Sequence, residues 1–101
     1  MNRFTLKFIW LEKSIGVSLD QVMGSKTNPL TEYFFWPQQD SWEEMKLFLE
    51  KRSWISQAYS ISLLNQITDV ITFWQEKDSI KSNDTNVLMQ RFPGCSFIVQ
   101  E

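Results

Sequence analysis

The chain has 101 residues, which suffices for one domain but leaves no room for a cofactor domain beside a substrate domain. It contains no histidine and a single cysteine, Cys95, so it can form no Ser-His or Cys-His catalytic pair, no internal disulfide and no zinc site built from those ligands. The formal net charge of -2 argues against binding a polyanion through overall positive charge.

The first part of the chain predicts a small antiparallel sheet. Apolar residues alternate over 4–11, which predicts a strand with one buried face. The stretch 15–23 is predicted as a second strand in a hairpin with the first, although helical spacing fits it as well, so strand and helix both stay open. Residues 24–29 are rich in turn formers and predict a loop, and the aromatic-rich residues 31–36 predict a third strand.

Two helices are predicted to follow. Either Ser41, in a capping box, or Asp40 begins a first helix that ends near Arg52. Ser56 is predicted to cap a second helix over 57–76, where apolar residues recur every three and four positions. The predicted fold is therefore α+β, with about three antiparallel strands and two helices packed on one face of the sheet.

The end of the chain is predicted as an extension. Residues 77–86 are polar and predict a mobile segment. The apolar stretches 87–89 and 97–99 are separated by a Phe-Pro-Gly turn, which fits either an added hairpin or a loosely attached tail. The predicted organisation is thus a single domain over 1–76 and a C-terminal extension over 77–101.

The carboxylates do not form a catalytic pattern. Glu43 and Glu44 are expected in the first turn of a helix, where negative charge complements the helix dipole. Asp20, Glu32 and Asp40 come from separate elements, and their spacing does not match a metal-binding loop. No catalytic residue, metal or cofactor is predicted, and the chain is not expected to be an enzyme.

The basic and aromatic residues supply the candidate contacts. The run Gly-Ser-Lys-Thr at 24–27 fits a plain turn far better than a phosphate site, although Lys26 could still touch a backbone phosphate. The cations near the end of the first helix fit helix capping and RNA contact equally well. The predicted RNA-contact residues are Arg3, Lys7, Lys13, Lys26, Lys46, Lys51 and Arg52. The four consecutive rings of the aromatic run fit core packing better than an exposed face, but a strand would place two of them on each face, so something should cover the second face as well. The predicted protein-contact residues are Tyr33, Phe35 and Trp36.

Several sequence blocks in fixed order indicate a family. The chain resembles the plastid-specific ribosomal protein three family of cyanobacteria and plastids over residues 4–76. The blocks that carry the resemblance are Phe8–Val22, Pro29–Pro37, Asp40–Glu43, Ser53–Ser56, Leu63–Asn65 and Phe73–Glu76, and Leu-Thr-Glu-Tyr-Phe-Phe-Trp-Pro is the most distinctive run among them.

The resemblance implies a structural component of the small (30S) ribosomal subunit that acts in translation without a cofactor. Its implied partners are ribosomal RNA and neighbouring ribosomal proteins, with no membrane and no small-molecule substrate. An adaptor that binds the subunit only transiently is the alternative. Where the family often has a basic residue after Trp-Pro, this chain has Gln38 and Gln39, which weakens the expectation of a phosphate contact there.

The same resemblance bears on location. The chain begins within three residues of its first predicted strand, which predicts no transit peptide. We therefore expect the protein in the plastid (chloroplast) stroma and encoded in a plastid genome, with a cyanobacterial cytoplasm as the second choice. We also expect its few cations to gather on one side, so that an acidic molecule can face RNA.

Overall fold

A computed structural model describes residues 3–76 and 85–99 of the chain. The elements are β1 (Arg3–Trp10), β2 (Ile15–Met23), β3 (Lys26–Pro29), β4 (Phe34–Trp36), α1 (Ser41–Glu50), α2 (Gln57–Glu76), α3 (Thr85–Arg91) and β5 (Ser96–Val99). The predicted α+β class is correct, but three strands and two helices were too few.

The strands form one mixed five-stranded sheet. β1 lies between β2, which is antiparallel to it, and β5, which is parallel to it. The other edge of β2 is shared by β3, which pairs near its end, and β4, which pairs near its start. The prediction of a purely antiparallel sheet was therefore wrong, because β5 pairs in parallel with β1. This pairing joins parts of the chain that are far apart in sequence.

The alternation of apolar residues determines which face of the sheet is buried. In β1, Leu6 and Phe8 are buried and lie directly opposite Leu19 and Val17 of β2, which are buried as well. The pairing places the odd-numbered apolar residues of β2 on the same face as the even-numbered residues of β1. This shared apolar face favours the strand over the helix that also fitted residues 15–23.

β3 corrects the prediction of a loop over 24–29. Gly24 has a φ of 62°, a left-handed conformation that glycine adopts without steric penalty, and the chain reverses there. Lys26 and Pro29 then lie opposite Met23 and Asp20. All four residues of β3 are exposed, so main-chain pairing rather than apolar burial makes this strand, and a hydrophobic pattern could not reveal it.

β4 is shorter than the predicted third strand over 31–36. The side-chain oxygen of Thr31 accepts a hydrogen bond from the Leu19 amide at 2.9 Å, and the main chain of residues 30 and 31 bonds to the Leu19 carbonyl. The Thr31 hydroxyl oxygen therefore accepts the hydrogen bond that the main-chain carbonyl of a neighbouring strand would otherwise accept from β2. Regular pairing of β4 with β2 begins only at Phe34.

Side chains at their starts fix the positions of α1 and α2. Asp40, not Ser41, caps α1: its carboxylate accepts the Glu43 amide at 3.0 Å, and Ser41 is buried as the first helical residue. Ser56 caps α2 as predicted, since its hydroxyl accepts the Tyr59 amide at 3.1 Å.

α2 runs alongside β1 in the same direction. At its start, the Phe4 amide donates to the Tyr59 hydroxyl at 3.3 Å. At its end, the Trp74 indole N–H donates to the Leu11 carbonyl at 2.9 Å. The connection between α1 and α2 therefore lies at the end of the sheet where β1 begins.

Residues 85–99 add a helix and a strand to this body. Val87, Leu88 and Met89 lie in α3, so they do not form the strand of an added hairpin. Phe97 of β5 is buried, and its ring stacks on that of Phe8 with the centroids 5.3 Å apart. Thr85 and Asn86, predicted as part of a mobile segment, are helical, and the rest of that segment, 77–84, lies outside the described residues.

One apolar core joins the helices to one face of the sheet. Met45 of α1, Ile67 and Val70 of α2 and Leu88 of α3 are fully buried in the same cluster as Phe8. The predicted packing of helices on one face is therefore correct. Among the described residues, no helix is long and apolar enough to span a bilayer.

Candidate nucleic-acid and protein interface

Four of the seven predicted RNA-contact residues lie at the end of the molecule where β1 and α2 begin. Arg3 pairs with Val22 near the end of β2, and Lys26 pairs with the next residue, Met23. Lys51 and Arg52 directly follow α1. They lie at the same end because the ring of Trp54, two residues further on, is 5.7 Å from the ring of Phe4 in β1. We call this surface the basic end; its cations are Arg3, Lys26, Lys51 and Arg52.

Exposed rings accompany these cations. Trp54 is 52% exposed and Tyr59 is 36% exposed. The Tyr59 ring meets the Phe4 ring edge to face, with centroids 5.2 Å apart, while its hydroxyl accepts the Phe4 amide. The contacts with Phe4 therefore hold the rings of Trp54 and Tyr59 beside β1, with much of the surface of both rings accessible. Accessible aromatic rings beside cations are the combination that binds unpaired bases or forms the anchors of protein interfaces.

Sequence reasoning did not select Trp54 or Tyr59 as contact residues. Trp54 lies in the Ser53–Ser56 block, outside both helical patterns, and that was the available signal: a large ring that no predicted core face requires. Tyr59 lies in the first turn of α2, where only the tertiary contact with Phe4 reveals its position.

The cations of α1 and its C-terminal end are held by aromatic rings. The Lys46 ammonium lies 5.7 Å from the centre of the Trp42 ring, and it also lies 3.8 Å from a carboxylate oxygen of Glu50. The Arg52 guanidinium lies 4.0 Å from the centre of the Phe48 ring. These contacts restrict where each cation can reach without removing its charge.

Lys7 is engaged on the face of the sheet opposite the helices. Its ammonium lies 3.2 Å from the carboxylate of Asp20, which is buried, and 5.7 Å from the centre of the Tyr33 ring. Burial lowers the pKa of Lys7, but the hydrogen bond and charge of Asp20, together with Tyr33, outweigh this effect and raise the pKa above its ordinary value. Lys7 therefore supports the sheet, and only part of it is accessible to a partner.

Lys13 lies away from the basic end. It is exposed in the turn between β1 and β2, at the opposite end of the sheet from Arg3. The structure thus brings together four of the predicted cations, places Lys46 nearby on α1, and separates Lys7 and Lys13 from them.

The aromatic run divides between the two faces of the sheet. Phe34 is buried in the core and Trp36 packs against it. Tyr33 and Phe35 lie on the other face, with ring centroids 6.2 Å apart, and Phe35 covers Gly16, the second residue of β2. The prediction that consecutive rings alternate between faces is correct. Tyr33, Phe35 and Trp36 are each partly exposed.

In the part of the chain that the structure describes, the carboxylates weighed from the sequence and Cys95 form no reactive centre. Of the three acidic residues weighed from the sequence, Glu32 and Asp40 are exposed, and the buried Asp20 pairs with Lys7. In the described ranges, 3–76 and 85–99, no cluster of three or more His, Cys, Asp or Glu side chains is arranged to hold a metal. Burial raises the pKa of Cys95 to about 11, so its thiol is protonated at neutral pH.

The molecule is thus a small α+β body whose distinctive surface is a basic, aromatic end. Residues 30–77 match the family model of the plastid and cyanobacterial ribosomal protein (PSRP-3 / Ycf65). A relative from Euglena stellata, called small ribosomal subunit protein cS23, is 55% identical over 98 residues, which is 97% of each chain. The protein of that name from Mesostigma viride is 48% identical over 96% of this chain and 77% of its own length.

A third relative, small ribosomal subunit protein cS23z of Arabidopsis thaliana, is 57% identical over 74% of this chain and 46% of its own length. The chain belongs to the plastid and cyanobacterial ribosomal protein family. It is accordingly a structural ribosomal protein and not an enzyme. The resemblance noted from the sequence blocks is confirmed.

Proposed function

We propose that this protein is a structural component of the small ribosomal subunit, where it binds ribosomal RNA and neighbouring ribosomal proteins as part of the translating ribonucleoprotein. The observation that carries the proposal is the near full-length identity to relatives called small ribosomal subunit proteins. The grouping of four cations with exposed rings at one end supports it, because such a surface suits RNA even on an acidic molecule.

The RNA contacts are assigned first to the basic end. Arg3, Lys26 and Lys51 are exposed there, and the described residues give none of the three a side-chain ion pair. Cations without an internal partner can bind phosphate without first giving up another interaction. Lys46 is a second contact beside this end, and no RNA contact is assigned to Lys7, which pairs with Asp20, or to Lys13, which lies at the opposite end.

Protein contacts are assigned to the opposite sheet face. Tyr33 and Phe35 lie there with the exposed Ile98 of β5, and Trp36 is partly exposed at the end of β4. Aromatic and aliphatic surface with few charges is typical of the centre of a protein interface. The protein would then bind RNA with one end and a neighbouring protein with one face.

The proposed compartment is the plastid stroma, because the family comprises plastid and cyanobacterial proteins. A plastid gene is part of the proposal. Labelling cells while cytosolic translation is blocked by cycloheximide tests it: the protein should still be synthesised. Loss of its synthesis under that block would contradict a plastid gene.

Sedimentation tests the function. Lysate of the source organism, separated on a sucrose gradient at moderate salt, should contain the protein in the small-subunit fractions. A subsequent high-salt wash distinguishes a structural component, which stays bound, from the transiently bound adaptor, which is released with loosely held factors. Recovery only at the top of the first gradient would contradict both.

A further inference from the structure

A groove of about 370 Å³ lies between the end of α1 and the beginning of α2. Its apolar lining includes Leu49 and Ile55, both buried, together with Leu64 and the exposed Ile61. Its polar lining residues are Lys46, Glu50, Arg52, Ser53, Gln57 and Ser60. The groove therefore combines an aliphatic surface with cations and neutral hydrogen-bonding groups.

The two cations of the groove are held in place before any partner arrives. Lys46 lies over Trp42 and Arg52 lies over Phe48, in each case a ring four residues earlier in the sequence. A guanidinium 4.0 Å from a ring centre has already lost much of its side-chain freedom. Binding an anion there thus requires little further ordering.

Among the described residues, Glu50 supplies the one carboxylate that lines the groove, and it lies 3.8 Å from the Lys46 ammonium. Both side chains are substantially exposed, at 40% for Lys46 and 57% for Glu50, so their attraction is screened by water. A phosphate can therefore replace Glu50 as the partner of Lys46. The described lining carries two cations, Lys46 and Arg52, and one anion, Glu50, so its net charge is positive.

The walls of the groove exclude the common modes of peptide binding. The main chains of α1 and α2 are hydrogen-bonded within the helices, so an extended peptide finds no strand edge to pair with. A bound helix would need apolar anchors spread over several turns, whereas the volume here is near the lower limit for a small-ligand site. One planar base with its phosphate matches the size, the aliphatic surface and the charge.

We propose that this groove receives a single unpaired nucleotide of the ribosomal RNA, with its base against Leu49, Ile55 and Leu64 and its phosphate at Lys46 and Arg52. Ser53, Gln57 and Ser60 are the groups available to the base edge, since hydroxyl and amide side chains bind the edges of unstacked bases. The inference rests on the proposed function but goes further, because ribosome binding alone does not require this groove.

Cross-linking within the assembled subunit tests the proposal. A photoreactive diazirine amino acid is placed at Ile61, which is 52% exposed and lines the groove, and in a second variant at Gln57. Small subunits containing each variant are purified and irradiated. We expect at least one of the two positions to form an adduct with one short RNA segment, whereas the same amino acid at Glu12, in the turn at the opposite end, should not label that segment.

Substitutions then test the chemistry of the groove. Lys46→Gln and Arg52→Gln should each lower the yield of the RNA adduct about tenfold or more, as expected when a charge-assisted hydrogen bond is removed. Glu50→Gln should raise it, because Lys46 is then free for phosphate. Lys13→Gln, which removes an equal charge outside the groove, should leave the yield unchanged.

The outcomes separate this proposal from the function on which it rests. Adducts to a protein, no adduct from either position in subunits that contain the variants, or equal yields from all four charge variants would overturn the nucleotide site while leaving the ribosomal function intact. Failure of the unmodified protein to sediment with the small subunit would overturn the proposed function itself.

Discussion

Gly16 is the residue of β2 on which the side chain of Phe35 lies. It lies opposite Ile9 of β1 and Phe35 of β4, and a Cβ atom there would lie 2.7 Å from Cε1 of the Phe35 ring. The ring therefore occupies the space that any other side chain at this position would need. Glycine here permits the face opposite the helices to be covered.

Gly16→Ala should destabilise the fold by about 1–2 kcal/mol, because the Phe35 ring must move away from β2. Urea denaturation of both proteins measures the destabilisation. Phe35→Ala provides the control: in that background the substitution at Gly16 should have little effect, since the clash is absent. An equal destabilisation in both backgrounds would show that the ring is not the cause.

The ion pair of Lys7 with the buried Asp20 predicts a loss of stability in alkali. The folded pKa of Lys7 is raised above its ordinary value, so the pair contributes fully below pH 10.5, and its contribution is lost as the pH rises through the folded value. Lys7→Met leaves a buried carboxylate without its cation and should be less stable at neutral pH.

The pH series distinguishes this effect from the titration of other groups. The difference in urea midpoint between the wild type and Lys7→Met should be largest near neutral pH and shrink above pH 10.5, where the wild type loses the charge of Lys7. All other lysines titrate in both proteins and cancel from the difference. A difference that stays constant with pH would contradict the assigned role.

At the scale of elements, β5 completes the core through Phe97. Its ring stacks on Phe8 and lies 6.1 Å from that of Phe92 and 6.4 Å from that of Trp10, centroid to centroid. β5 pairs with β1 only from Lys7 onward, so its four residues cover the second half of that strand. The strand therefore links the last described residues of the chain to the centre of the sheet.

Phe97→Ala should destabilise the protein by about 3–5 kcal/mol, because it opens a cavity among three rings. Ile98→Ala, one residue along on the opposite face and 48% exposed, is the matched control and should change stability by less than about 1 kcal/mol. Thermal unfolding followed by circular dichroism measures both. Similar shifts for the two variants would indicate that β5 is only loosely attached.

Elements with a regular apolar pattern or a capping residue in their own sequence were predicted correctly. The period of α2 and its Ser56 cap gave the bounds found, and the alternation in β1 gave the strand and its buried face. β3 escaped prediction because all four of its residues are exposed, so no apolar pattern marks it. For residues 97–99 a hairpin strand was one of two alternatives, but the parallel pairing of β5 with β1, a strand far away in sequence, was not predicted. Both depend on a partner strand, which no local window contains.

The candidate site was predictable in its residue types but not in its arrangement. The seven cations were identified from the sequence, yet only the position of the α1–α2 connection against Phe4 brings Lys51 and Arg52 to the same end as Arg3. The same contact places Trp54 and Tyr59 among them. These groupings arise from tertiary packing, which spacing along the chain does not encode.

At the scale of the whole molecule, both ends of the part formed by residues 3–76 and 85–99 carry exposed cations. The basic end carries Lys26 and Lys51, both exposed. The opposite end carries Lys13 in the β1–β2 turn and Arg91, whose guanidinium lies 4.7 Å from the centre of the Phe73 ring near the end of α2. Two pairs of cations can thus be removed with the same change in net charge but from opposite ends.

The double variant Lys26→Gln/Lys51→Gln should leave the small subunit at lower salt than the wild type. Removing one lysine that neutralises a phosphate reduces the salt slope of binding by about 0.9 on duplex RNA, taking the value for B-DNA. The control, Lys13→Gln/Arg91→Gln, should leave near the wild-type salt concentration. Retention of each protein with subunits across a KCl series measures this, once circular dichroism confirms that both are folded. If the two variants are released at the same salt concentration, overall charge rather than the basic end governs binding.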